Sequence, residues 1–242
     1  MKKISTILTA ILFVFSLNAQ ITITNDLYTV TYSESYEQPL ELTYSYKPFN
    51  FVLNNIVPPN KLGFASKSNG KISTFSYPNP SATTNYSWEV PEGILTSDDE
   101  DYKDNDYDRS HLVPKKQFDD KRNISFLYSY LNCALMHKTL NRGVWSSLEE
   151  YERELTGPVN VTVSLTFSDQ NKTVKGGATI PSYFTKIIEY GGTGLYNLND
   201  SGVYSKEIIR EVYKFPNDSS VKGKTIDVFK IENLSGKFQH TL

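Results

Sequence analysis

The sequence contains a single cysteine, Cys133, among its 242 residues. One cysteine excludes an intramolecular disulfide framework and a zinc site built from cysteine thiolates. A chain of this length buries enough apolar surface to fold without such cross-links. Hydrophobic residues make up 38% of the chain and charged residues 21%, proportions that exclude a disordered tail or a coiled coil. We therefore expect a globular fold that does not depend on oxidation.

Basic residues are scarce in the first part of the chain. Residues 21–108 contain five basic and thirteen acidic side chains, and residues 74–102 contain no Lys or Arg. Residues 109–153 reverse this balance, with eight basic and five acidic side chains. Because contacts with phosphate groups are made by Lys and Arg, a polyanionic partner is expected to bind the middle of the chain. An ordinary mixed-charge surface would give the same asymmetry.

The N-terminus has the pattern of a secretory signal peptide. Lys2 and Lys3 precede an apolar run at residues 7–17, and Ala19 supplies a small residue at the expected cleavage point. The run is too short for a helix that stays in the membrane, although an uncleaved anchor is the alternative. We predict that residues 1–19 are a signal peptide and that the protein is secreted or periplasmic, with no membrane segment after cleavage.

The rest of the chain, residues 20–242, is predicted to form a single α+β domain with a central antiparallel sheet and few helices. Alternation between apolar and polar residues predicts strands, and apolar residues three or four positions apart predict one helix. Clusters of Pro, Asn, Gly and Ser predict loops. Strands are expected within 21–52, 124–131, 159–167 and 178–188, with 208–215 either strand or helix; the helix is expected at Leu140–Leu155, and loops at 58–87 and 97–108.

One of the three histidines follows closely after an acidic and a basic residue. His111 stands three positions after Asp108 and two after Arg109. A histidine titrates near neutral pH and can act as a general base, while the carboxylate and guanidinium would orient the ring or hold an anion. A surface salt cluster gives the same pattern, so this segment alone does not define an active site.

The predicted helix carries a second candidate group. Asn141, Trp145, Glu149 and Arg153 are four residues apart and so are expected to share one flank. Mg²⁺ binds oxygen ligands and keeps several waters, so an amide and an indirect carboxylate suffice when a phosphate supplies the rest. The alternative is a surface pair of Glu149 and Arg153 near an ordinary polar residue. Trp145 is predicted to be a packing residue, and Cys133 a small buried hydrophobic one.

Together these segments resemble the DNA/RNA non-specific endonucleases. Asp108-Arg109-Ser110-His111, Asn132 and Leu140–Glu149 are similar to the family pattern Asp-Arg-Gly-His, Asn-x-x-Pro-Gln and Leu-Asn-x-x-x-Trp-x-x-Leu-Glu. These are ββα-metal, or His-Me finger, nucleases, and they include secreted bacterial nucleases and mitochondrial endonuclease G. The resemblance implies a ββα-metal motif within the sheet domain. Further similarity lies at 28–40, 101–107 and 177–186, and the whole resemblance covers residues 26–215.

The resemblance also implies a reaction, a cofactor and a substrate. The reaction would be hydrolysis of phosphodiester bonds in DNA and/or RNA with little sequence specificity. His111 would be the general base that activates water. Asn141 would be the direct ligand of Mg²⁺, for which Mn²⁺ would be the substitute, and Glu149 would hold a metal-bound water. The sequence gives neither the preference between DNA and RNA nor the oligomeric state.

Four further roles follow from the same resemblance. Arg109 would bind phosphate, and Arg153 would contact phosphate or help to hold the site. Asp108 would steady the strand and its cluster of polar groups. Asn132 would tie the finger together and help to orient the histidine.

The chain also departs from the family pattern. Ser110 replaces a glycine, Leu135 and Met136 replace Pro and Gln, and the upstream Arg of many members is missing from residues 74–102. These departures leave an alternative open, in which the protein keeps the nuclease fold, has impaired catalysis and only binds nucleic acid or a partner.

A calcium-binding module is a second alternative. Asp104, Asp106 and Asp108 match the first ligand positions of an EF-hand loop. The sixth position, which requires glycine, is Arg109, and the twelfth, which requires glutamate, is Lys115. No helix is predicted before this loop, which weakens the alternative.

Overall fold

A computed structural model describes residues 20–46, 88–118, 124–155, 158–168, 172–191, 197–198 and 204–239. The predicted signal peptide, the predicted loop at 58–87 and His240 lie outside these residues. In the described ranges, no helix has the length and apolar character needed to cross a membrane.

An antiparallel sheet makes up most of the described structure, and a separate two-stranded sheet lies beside it. The described residues form strands β1 (Gln20–Thr24), β2 (Tyr28–Ser33), β3 (Gln38–Tyr46), β4 (Tyr107–His111), β5 (Cys133–His137), β6 (Val159–Thr166), β7 (Tyr183–Gly191), β8 (Asn197–Leu198), β9 (Tyr204–Pro216) and β10 (Lys230–Gln239). The large sheet has the order β1-β2-β3-β6-β7-β9-β10, with β8 also paired to β9, and the small sheet is β4-β5.

Helices are few and short, so the α+β prediction is confirmed. The α-helices are α1 (Ile124–Leu127), α2 (Lys138–Leu140) and α3 (Ser146–Glu154), and a π-helical segment at Asn141–Trp145 joins α2 to α3. Single 3₁₀ turns occur at Glu100–Tyr102, Lys115–Gln117, Tyr130–Asn132, Ser219–Val221 and Ile226–Phe229.

Alternating burial explains the strands that the sequence predicted correctly. In β6 the side chains of Val159, Val161, Val163 and Leu165 are buried, while those between them are half-buried or exposed. This is the period of two that places alternate residues on the core face. The strands expected within 21–52 are β1 to β3, and the undecided segment at 208–215 is part of β9.

The strand predicted at 124–131 is wrong. This segment forms α1 and the start of a 3₁₀ turn, and the strand begins only at Cys133. A short apolar run does not distinguish a buried helix from a buried strand. Here the Ser129 hydroxyl accepts the backbone N–H of Leu131 at 3.3 Å, which starts the turn because serine side chains compete for backbone donors.

Two other predicted boundaries also change. The strand expected at 178–188 begins at Tyr183, because Thr179 donates its backbone N–H to Tyr36 at 2.8 Å instead of entering the large sheet. The acidic loop at 97–108 contains a 3₁₀ turn, and its last two residues already belong to β4.

The predicted helix at 140–155 exists but is not continuous. Gly143 has φ −112° and ψ −113°, which are not helical values, and glycine adopts them readily because it has no Cβ. Breaks of this kind usually occur at glycine or at π-helical turns. The prediction that Asn141 and Glu149 share one flank of a regular helix is therefore wrong, because the kink at Gly143 lies between them.

Trp145 anchors the helix to the large sheet. It is fully buried and packs edge-on against Phe184 and Phe215, with ring centroids 5.7 and 5.8 Å apart. Cys133 is also fully buried. Both residues therefore have the packing role that the sequence predicted.

A buried ion pair fixes α3 against β7. Lys186 and Glu152 are both fully buried and contact each other. Glu152 Oε1 also accepts hydrogen bonds from the Tyr44 hydroxyl at 2.6 Å and from Gln117 at 2.8 Å. Removing one partner of such a pair costs about 3–5 kcal/mol, because an uncompensated charge stays buried.

Candidate active site

The small sheet and the helix after it form the two strands and one helix that the resemblance implied. His111 lies opposite Cys133, and Asp108 lies opposite Met136, in the antiparallel β4-β5 pair. The chain then continues from β5 directly into α2. Because side chains alternate along a strand, Asp108 and Ser110 share one face of β4, and Arg109 and His111 share the other.

Asp108 and Ser110 bind the two ends of the Asn141 side-chain amide. Its Nδ2 donates to Asp108 Oδ2 at 3.0 Å, and the Ser110 hydroxyl donates to its Oδ1 at 2.9 Å. Arg142 binds the same carboxylate through Nε at 2.8 Å and Nη2 at 2.7 Å. Burial works against ionisation of Asp108, but the bonds from Arg142 and Asn141 outweigh it and lower the pKa of Asp108. Because the Asp108 carboxylate accepts from Nδ2, the oxygen Oδ1 of Asn141 is the end of the amide that faces Ser110.

The amide oxygen of Asn141 fits a hard cation. An amide oxygen has two lone pairs, and Ser110 uses one of them. Across the described residues, no group of three or more His, Cys, Asp or Glu side chains could hold a metal ion. The second lone pair of Asn141 Oδ1 is the kind of ligand taken by a hard cation that keeps several waters and needs few protein ligands.

His111 lies among aromatic rings. Its ring centroid is 4.8 Å from that of Trp88 and 5.2 Å from that of Tyr128, which approaches edge-on. His111 Nε2 is buried and has no hydrogen-bond partner within the part of the chain that the structure describes. Burial, with a smaller contribution from Lys115, lowers the pKa of His111 to about 4. The imidazole is therefore neutral at pH 7, which is the form that accepts a proton.

Asn132 fixes the chain just after His111. Its fully buried side chain accepts the backbone N–H of Val113 at 2.8 Å and donates to the Leu127 carbonyl at 3.1 Å. Its own carbonyl accepts the N–H of Leu112 at 3.1 Å. These bonds restrict the backbone that carries the imidazole.

Arg109 is bound to groups on the protein itself. It donates to Asp99 Oδ1 at 2.6 Å and to the Tyr130 hydroxyl at 3.2 Å, and its guanidinium lies 4.9 Å from the centre of the Tyr102 ring. The Tyr130 hydroxyl donates to the same Asp99 oxygen at 2.7 Å. A phosphate bound by Arg109 would therefore compete with the Asp99 carboxylate.

Glu149 and Arg153 lie beyond the kink. Burial raises the pKa of Glu149 to about 7, and Lys186 opposes this rise while Glu152 adds to it. A cation bound near Glu149 would lower this pKa again and favour the carboxylate form. Arg153 pairs with Glu150 at 3.6 Å. In the described ranges, neither residue forms a hydrogen bond or ion pair with His111 or Asn141.

Three residues at this site were missed by the sequence analysis. Trp88 and Tyr128 enclose His111, and Arg142 completes the clamp on Asp108. Arg142 offered a signal, since it is a basic residue directly after the predicted metal ligand. The two aromatic residues offered none, because their contact depends on how distant segments pack.

The fold and the site define a nuclease of the ββα-metal type. A family model for DNA/RNA non-specific endonucleases matches residues 9–241, and the chain belongs to this family. Members are divalent-metal-dependent phosphodiesterases that act on nucleic acid. The family resemblance found in the sequence is therefore confirmed, and the protein is a nuclease.

Solved structures support the fold. One chain in a crystal structure described as the EndoG/EndoGI complex, on the mechanism of EndoG inhibition, is similar with a TM-score of 0.57 and 17% identity. The match covers 87% of this chain and 80% of that chain. No curated protein matches the sequence significantly.

Proposed function

We propose that this nuclease is a secreted, Mg²⁺-dependent endonuclease that cuts DNA and/or RNA with little sequence specificity. One observation carries the proposal. Asn141 is bound through Asp108 and Ser110 to the same strand that presents His111. The metal ligand and the base are thus carried by one short strand, from its opposite faces. The proposal requires both to reach one phosphate at the end of this strand, where His111 is the last residue.

In this reaction His111 would accept the proton of the attacking water. The aromatic surroundings keep the imidazole neutral, and Asn132 restricts its backbone. Asn141 would hold Mg²⁺, and Glu149 would hold a water bound to it. When bound, Mg²⁺ would neutralise negative charge on the phosphate oxygen and on the leaving 3′-oxygen. Phosphate contacts by Arg109 and Arg153 would carry no sequence information, which accounts for the low specificity.

Secretion is proposed on the residues of the N-terminus alone. Expression of the full chain in a bacterial host is expected to release protein that begins at residue 20. Mass spectrometry of protein from the periplasm and the medium would identify the new N-terminus. An intact chain that stays with the membrane would instead support the uncleaved anchor.

Cleavage of DNA and of RNA by purified protein tests the catalytic proposal. We expect Mg²⁺-dependent endonucleolytic cuts that EDTA abolishes. His111→Ala is expected to lower the rate about 10²–10⁴-fold, the range for a positioned general base. His137→Gln is the matched control, because His137 is a half-buried histidine that caps α2 through its Nδ1.

Two results would contradict this assignment. Equal cutting by His111→Ala and the wild type would remove His111 from the reaction. Binding of nucleic acid by folded wild-type protein, with no cleavage at any Mg²⁺ or Mn²⁺ concentration, would support the alternative with impaired catalysis.

A further inference from the structure

A cleft of about 480 Å³ lies beside the proposed metal ligand. It is formed between the α2–π segment and the turn that follows Ser219–Val221. We call it the basic cleft, because four of its lining residues are Lys138, Arg142, Lys222 and Lys224. Val144 and Val221, both buried, form part of its floor.

The positive charge of the basic cleft is only partly neutralised. None of the described residues that line it is acidic. Arg142 pairs with Asp108, and Lys138 lies 3.9 Å from Asp106. Lys222 and Lys224 are exposed, and neither forms an ion pair with any residue that the structure describes. An unbalanced cationic concavity of this kind attracts anions.

The basic cleft is directly connected to the candidate active site. Arg142 lines the cleft and follows Asn141 in the chain, and both side chains bind the Asp108 carboxylate. A nucleic acid strand with one phosphate at Asn141 would therefore have a neighbouring phosphate at the edge of the cleft. Flexible lysines bind phosphates without reading the bases, which suits a non-specific enzyme.

We propose that the basic cleft binds the phosphodiester backbone of the substrate next to the cleaved bond, with Lys222 and Lys224 as phosphate contacts. The proposal rests on the proposed function, because it takes Asn141 to mark the position of the cleaved bond. It adds residues from the C-terminal third of the chain, where acidic and basic residues are nearly balanced. The sequence charge pattern had indicated only the middle of the chain.

Salt-dependent binding tests this proposal without turnover. Fluorescence anisotropy in EDTA would measure the Kd of a labelled single strand and a labelled duplex over a range of salt concentrations. The slope to be compared is that of the logarithm of the binding constant against the logarithm of the salt concentration. In the double variant Lys222→Gln and Lys224→Gln, the loss of two phosphate contacts should reduce the magnitude of this slope by about 1.8 for duplex or about 1.4 for single strands. The Kd is expected to rise on the order of tenfold or more at 0.1 M salt.

A matched double variant controls for net charge. Lys175→Gln combined with Lys214→Gln removes the same charge from two exposed lysines outside the cleft, and its slope should stay close to that of the wild type. Equal slopes for the two double variants would overturn the proposal, as would a wild type that does not bind. Thermal unfolding would confirm that both variants are folded.

Inorganic pyrophosphate separates a backbone site from a site for small anions. It should displace the oligonucleotide only at concentrations far above the oligonucleotide Kd. Displacement at equal concentrations would overturn the backbone assignment. If the wild type binds with the expected salt dependence but does not cleave, only the proposed function is contradicted. If cleavage is normal and the cleft variant keeps the wild-type salt dependence, only the role of the basic cleft is contradicted.

Discussion

The two faces of β4 place Asn141 and His111 in different surroundings. On one face Asp108 and Ser110 hold Asn141 through polar bonds to both ends of its amide. On the other face His111 lies between aromatic rings, and its buried Nε2 has no partner among the described residues. A metal ligand needs a fixed orientation, whereas a base needs to remain neutral at working pH. The alternation of a five-residue strand provides both environments at adjacent positions.

Removing the amide on the polar face is expected to have an effect as large as removing the imidazole. Asn141→Ala should lower cleavage on the order of 10³-fold, because the metal contributes several kcal/mol to transition-state stabilisation. It should also weaken Mn²⁺ binding, as measured by electron paramagnetic resonance. Asn160→Ala, at an exposed position on β6, is the control. Unchanged Mn²⁺ binding by Asn141→Ala would show that the polar face does not hold the metal.

A change on the aromatic face should shift the pH dependence. Below the pKa of His111 the base is protonated and inactive, so the contribution of His111 to wild-type kcat/KM should be lost only as the pH approaches about 4. Protonation of Glu149, whose pKa is about 7, should lower kcat/KM in the wild type and in the variant alike. Trp88→Ala exposes the ring and should raise this pKa by more than one unit, towards the ordinary value of about 6.5. The ratio of variant to wild-type kcat/KM should therefore be lower at pH 5 than at pH 7. Trp88→Phe should keep the low pKa.

Proton NMR of the histidine ring in EDTA measures the same pKa without metal or substrate. Assignment of the His111 signal follows from its absence in His111→Ala. A pKa that is the same in the wild type and in Trp88→Ala would show that the aromatic ring does not keep the base neutral.

The smallest effect should come from the hydroxyl that holds Asn141. Ser110→Ala removes one hydrogen bond, worth about 1 kcal/mol, and should weaken metal affinity about five- to tenfold by loosening the amide. Isothermal titration with Mn²⁺ would detect this change, while the pKa of His111 on the opposite face should not move. Tighter metal binding by Ser110→Ala would mean that the hydroxyl competes with the ion for Asn141.

The sequence predicted the sheet better than the site. Strands such as β6 were recognisable because alternation records which residues meet the core. The segment at 124–131 was not, since its apolar run carries no such alternation and a local bond to Ser129 decides its conformation. The kink at Gly143 could not be predicted either, because glycine inside a periodic helix is compatible with both a straight and a broken helix.

The motifs identified candidate residues without giving their surroundings. The clamp on Asn141 and the ring of Trp88 over His111 depend on contacts between distant segments. The same is true of the low pKa of His111, because burial is a property of the whole fold. Spacing along a chain therefore indicates which groups take part, whereas packing decides their protonation and orientation.

The break at Gly143 has a consequence for the directions of the side chains along the helix. Each residue of a regular α-helix advances the side-chain direction by about 100°, and the non-helical φ and ψ of Gly143 interrupt this progression. The N-terminal end can thus follow β4 while α3 independently matches the large sheet through Trp145 and Glu152. A continuous helix through position 143 would force one of these two contact surfaces out of phase.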